Sequence, residues 1–161
     1  MDKPPRPRHE HVITGGLLAR AYLWLGLVQS LAAMTAFYFM YWRHGYGGQW
    51  QDLPATGPLY QAATAMTLGA IVATQIGNLF AQRTQHSSLF QVGLFSNHLV
   101  WLGIASEIVL ILAIVYVPIL QMVFGTAALG WVDWLFLVAW TPALLIVDEA
   151  RKWVVRRWGI G

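Results

Sequence analysis

Four long apolar blocks alternate with short polar stretches along the chain. They run from about Leu17 to Tyr41, Leu59 to Gln82, Asn97 to Val117 and Val132 to Trp153. Each holds about 20 residues or slightly more, which at a helical rise of about 1.5 Å per residue crosses a hydrocarbon core about 30 Å thick. The apolar residues are continuous within each block and do not follow the one-sided period of an amphipathic helix, which reads as membrane span and not soluble helix. The pattern predicts an all-α membrane protein with four transmembrane helices, over 17–41, 59–82, 97–117 and 132–153. Residues 1–16 form a polar lead broken by Pro4, Pro5 and Pro7, and 17–161 form the four-helix membrane domain. Thr56 and Pro58 suit the opening of the second helix, since proline is accommodated in a first turn. Pro118 closes the third helix, a hairpin loop reaches Gly130, and Pro142 is expected to kink the fourth.

Composition agrees with this class and adds an orientation. The chain is 57% hydrophobic and 11% charged, whereas a soluble domain carries about a quarter of its residues charged. Lys3, Arg6, Arg8, Arg20, Arg83, Arg151, Lys152, Arg156 and Arg157 fall on one side of the predicted membrane and Arg43 alone on the other. By the positive-inside rule both termini are cytoplasmic. Trp42, Tyr46, Trp50, Tyr60, Trp131 and Trp134 would form the outer aromatic belt. The basic clusters flank apolar spans, so they suit anionic lipid headgroups, and no nucleic-acid partner is expected. The first block is too long for a signal-peptide core and lacks a cleavage site after it. Absence of cysteine excludes disulfides, thiolate metal sites and cysteine nucleophiles. The predicted location is integral and multi-pass, in the plasma (inner) membrane if the source is bacterial.

Candidate chemistry concentrates in the second and third helices. Ala65, Gly69, Ala73, Gly77 and Ala81 recur every four residues, a ladder of small side chains that lets another helix approach closely. A polar stripe of Thr64, Thr67, Thr74, Gln75, Asn78 and Gln82 runs beside it. Gln75 and Asn78, three residues apart, project from one side. Their amides either bond to neighbouring helices or turn carbonyl oxygens toward a hard cation within the membrane. Glu107 lies near the middle of the third span, where a carboxylate faces a bundle interior or an aqueous path. It serves ion or proton passage, or is a hydrogen-bonded structural glutamate. His9-Glu10-His11 could touch a metal but in a polar tail reads as solvated, His86 and His98 lack metal-ligand spacing, Asp148 and Glu149 with Arg151 and Lys152 read as an exposed ion-pair cluster, and no phosphate-loop motif is present. No catalytic residue is expected in this chain.

The ordered motifs resemble a known family. Met1-x-x-Pro-Pro-Arg6, Gln29 in the first helix, Gln75-x-x-Asn78, Ser87-x-Leu-Phe-Gln91 with Asn97, Tyr116-x-Pro118 and Asp148-Glu149-x-Arg-Lys152 together resemble the C-terminal membrane region of type II P-type cation-transporting ATPases. The resemblance covers nearly the whole chain. It implies that the four spans correspond to the seventh to tenth helices of a ten-helix pump, supporting the ion-carrying helices. It further implies that Gln75 stands where calcium pumps place a glutamate ligand and the sodium pump a glutamine. Asn78 falls where the sodium pump has an aspartate tied to its third sodium site, and Glu107 resembles a ninth-helix glutamate associated with that site and with proton passage.

Departures from the family bound what the chain does alone. The phosphorylated Asp-Lys-Thr-Gly-Thr motif, the nucleotide and actuator domains and the first six helices are absent from the sequence, so ATP hydrolysis by this chain is not expected. No cofactor is expected in the chain itself, whereas the parent pump would use ATP and Mg. The expected function is the C-terminal membrane part of a cation pump with a partial cation site. Its partners would be the lipid bilayer, a transported cation (calcium, sodium or similar) and the missing N-terminal part of the pump or a partner pump chain. The alternative is a standalone four-helix protein, an oligomeric channel or a regulatory subunit of a pump, motivated by the small-residue ladder as a face open to other helices.

Overall fold

The computed structural model describes residues 26–48, 51–83 and 98–158, and these contain five helices and no strand. They are α1 (Gly26–Arg43), α2 (Pro58–Arg83), α3 (His98–Tyr116), α4 (Pro118–Phe124) and α5 (Trp131–Trp158). Pro58–Phe80, His98–Tyr116 and Trp131–Ala150 are each long and apolar enough to cross a membrane. The described part of α1 is 18 residues, and residues 17–25 of the first predicted span lie outside the described residues, as do the lead over 1–16, Ser87, Gln91 and Asn97.

The centre of the bundle is α2, which packs on α1, α5 and α3. Its small residues explain why. Ala63, Ala65, Met66 and Ala70 are fully buried, and a Cβ added at Gly69 would stand 2.5 Å from Cδ1 of Leu137 on α5. One added at Gly77 would stand 3.2 Å from the Thr141 carbonyl oxygen and 3.4 Å from Leu144 Cβ. The Thr141 hydroxyl donates to the Ala73 carbonyl at 2.9 Å. These contacts join residues between 64 and 68 positions apart, so α2 and α5 run parallel in close approach along a shared length. The ladder is thus occupied by the chain's own last helix. The expectation that it lies open to other helices is corrected, because close packing of α5 uses every rung from Gly69 to Gly77.

At the end that carries Arg43, side chains join the elements. Phe39 of α1 stacks on Phe136 of α5 at 4.0 Å between centroids, with the Arg43 guanidinium 5.8 Å from the Phe39 centroid. Arg43 pairs with Asp133. The other Asp133 carboxylate oxygen accepts the Gly130 backbone N–H at 2.8 Å, satisfying an orphan donor at the start of α5 as an N3 acid does in a capping box. Asp133 is buried and Arg43 partly exposed. The Tyr41 hydroxyl, buried under the α1–α2 loop, donates to the Pro54 carbonyl.

The predicted hairpin loop after Pro118 contains α4. Pro118 has no N–H, so the Ile114 carbonyl loses its helical donor; the Thr126 hydroxyl donates to that carbonyl at 2.7 Å. The chain turn also removes the donor for the Val115 carbonyl, which accepts the Gln121 side-chain amide. Gly125 closes α4 in the left-handed region, φ 62°, a conformation that suits glycine. Helix α5 continues through Pro142 to Trp158.

Candidate ion-pathway face

The polar stripe of α2 divides by what each side chain bonds. Thr74 is buried and donates to the Ala70 and Ile71 carbonyls at 2.8 and 2.9 Å. Thr64 and Thr67 donate to the Tyr60 and Ala63 carbonyls, each at 3.0 Å. Back-bonding of this kind satisfies a hydroxyl inside an apolar span and leaves it no donor for another helix. These three threonines are structural.

The two amides differ from the threonines and from each other. Gln75 is exposed on the bundle surface, although it sits within a span that is apolar on either side. Asn78 is half-buried, and its Oδ1 is buried without a hydrogen-bond partner. An amide oxygen in that condition carries a desolvation cost of about 1–3 kcal/mol. The two residues share a flank of α2 but not an environment.

Glu107 of α3 is half-buried and makes no hydrogen bond or ion pair with a described residue. The neighbouring Ser106 hydroxyl is spent on the Gly103 carbonyl at 2.7 Å. Phe80 of α2 meets Trp101 of α3 edge-on at 6.1 Å, while Met66 and Val115 are buried in the same core cluster toward the other end. This antiparallel register sets Glu107 about level with Thr74 and Gln75, and Asn78 about one turn from them. Three groups able to offer oxygen therefore lie within a narrow band of depth. Among the described residues no cluster of three or more His, Asp or Glu is placed to hold a metal. His9, Glu10, His11 and His86 lie outside the described residues.

The family Cation transporting ATPase, C-terminus, matches residues 1–154. This chain belongs to that family. It is 32% identical to Calcium-transporting ATPase 1 of Schizosaccharomyces pombe, over 99% of this chain and 16% of the relative. It is 34% identical to Calcium-transporting ATPase 1 of Yarrowia lipolytica, over 97% of this chain and 15% of the relative. It is 31% identical to Calcium-transporting ATPase type 2C member 1 of Homo sapiens, over 96% of this chain and 15% of the relative. The chain thus spans about one-sixth of the length of these relatives.

Within this cation-ATPase C-terminal domain, several residues that matter were not evident from sequence spacing. Arg43 and Asp133 lie 90 positions apart, and the only local sign was an acid three residues after Gly130. Asp148 is 1% exposed, which corrects the reading of Asp148 and Glu149 as one exposed cluster; Glu149 alone is exposed. The cause is periodicity: Leu137, Thr141, Leu144 and Asp148 follow the i, i+4, i+7, i+11 stripe that α5 turns toward α2. That spacing was readable, but the pairing with the basic residues that follow drew attention to the wrong face.

Proposed function

We propose that this chain is the C-terminal membrane part of a cation pump, supporting the ion pathway and lending it a partial cation site. The observation that carries the reading is the family match over residues 1–154, joined to the band of unspent oxygen groups at Gln75, Asn78 and Glu107. An exposed glutamine and an unpartnered asparagine oxygen are costly against hydrocarbon. Both are accounted for when the face they share meets the ion-carrying helices of a longer protein. Gln75 and Asn78 would give neutral carbonyl oxygens and Glu107 a carboxyl for ion or proton passage. Four membrane spans with both termini cytoplasmic complete the arrangement, and the rest of the pump would supply the phosphorylated aspartate and use ATP and Mg. The transported cation is calcium, sodium or a similar ion; the calcium-pump names of the relatives favour calcium. Those relatives are eukaryotic and lend no support to a bacterial inner membrane.

The test uses a complete pump that carries this C-terminus. Gln75→Leu and Asn78→Leu should each lower apparent cation affinity about three- to tenfold, about 0.7–1.4 kcal/mol, with expression unchanged. Glu107→Gln should alter the pH dependence of transport or its ion affinity while the protein still folds. Equal loss of folding in Glu107→Gln and Glu107→Leu, with unchanged affinity in the two amide variants, would leave the face purely structural.

A further inference from the structure

The connection between α3 and α5 differs in chemistry from the other connection at the same end of the bundle. The loop between α1 and α2 carries His44 and Asp52, both exposed, as expected of a segment in water. From Ile108 to Val132, through the whole of α4, no residue carries a charge. Helix α4 has no buried residue, and Ile119, Met122 and Val123 are 70%, 82% and 73% exposed. A water-facing helix of seven residues would not keep such a surface.

We propose that α4 lies in the membrane interface, its apolar face dissolved in the acyl chains of the leaflet opposite the basic residues. Three further observations select lipid as the occupant. Helix α3 alone is 19 residues, about 28 Å long, which already spans the hydrocarbon core. The apolar run that continues past it must therefore bend into the interface, and Pro118 supplies the break. The polar side chains of the connection are turned inward: Gln121 to the Val115 carbonyl and Thr126 to the Ile114 carbonyl. Backbone groups left open by the break are thus covered before they meet lipid, a condition the bilayer imposes and water does not. Finally, the Tyr116 hydroxyl accepts the Trp134 indole N–H at 2.8 Å and donates to the Leu129 carbonyl at 2.9 Å. That pair fixes the start of α4 at the depth where aromatic residues mark the headgroup boundary.

The sequence lacks cysteine, so single nitroxide labels can be placed without background. Met122→Cys and Ile119→Cys would be labelled in the full chain reconstituted in phosphatidylcholine nanodiscs, with Leu110→Cys as the lipid reference and Asp52→Cys as the water reference. Collision with oxygen should exceed collision with a water-soluble nickel chelate several-fold at Met122 and Ile119, as at Leu110 and opposite to Asp52. Ratios matching Asp52 would place α4 in water and overturn the proposal. Low collision with both reagents would mean that protein covers this face, from a second copy or another chain, and would overturn it equally.

Discussion

Gly69 shows how much of the bundle depends on the absence of a single atom. Its missing Cβ would meet Leu137 Cδ1 at 2.5 Å, and Leu137 is itself 1% exposed, so the leucine has little room to move. Gly69→Ala should destabilise the protein by about 1–3 kcal/mol through overpacking. Thermal unfolding in detergent would read this loss, and Leu137→Ala in the same chain should recover part of it, because the two residues share one contact. Gly103→Ala is the matched control: nothing lies within 4 Å of its added Cβ, so stability should hold or rise slightly with helix propensity. Loss of stability in Gly103→Ala equal to that in Gly69→Ala would remove the packing explanation. The ladder was legible in the sequence because four-residue spacing of small side chains has one physical use in a bilayer. Which helix fills it was not legible, since close approach specifies a gap and not its occupant.

At the scale of the elements, the break between α3 and α4 shows how a proline is tolerated at the membrane boundary. Pro118 removes one donor, and side chains from beyond the break cover the Ile114 and Val115 carbonyls. Thr126 is 3% exposed, so Thr126→Val would leave the Ile114 carbonyl bare at a cost of about 1–3 kcal/mol. Thr126→Ser should keep most of the stability. In a Pro118→Ala background the restored N–H can itself reach Ile114, so Thr126→Val should cost measurably less there. An equal cost in both backgrounds, by the same unfolding measurement, would show that the threonine acts through packing alone. Pro118 announced the end of the third span in the sequence. The replacement donors did not, because their partners lie six and twelve positions away and no periodic signal connects them.

For the whole molecule, the contrast between α3 and the other spans sets an order of disassembly. Association within a bilayer draws on close packing, because lipid is as apolar as the helix surface. Helix α5 is held to α2 by two glycine contacts and the Thr141 hydrogen bond, and to α1 by the Phe39–Phe136 stack and the Arg43–Asp133 pair. Helix α3 offers α2 no such approach, since Gly103 meets nothing, and Leu99, Leu102, Val109 and Leu110 are all more than half exposed. The three long apolar spans among the described residues were legible because bilayer thickness imposes their length. This hierarchy among them was not, because hydropathy does not report it: α3 is the most apolar span, yet it is enclosed no more than α5 and far less than α2. On heating in detergent, α3 should therefore separate from α2 before α5 does. A single cysteine at Ile104→Cys, on the α2-facing side of α3 and buried, should react with a thiol probe at a lower temperature than one at Leu144→Cys on α5, also buried. In a complete pump the two temperatures should converge where other helices cover α3. Coincident reactivity already in the isolated chain would mean that the bundle opens as one cooperative unit and that α3 is held as firmly as α5.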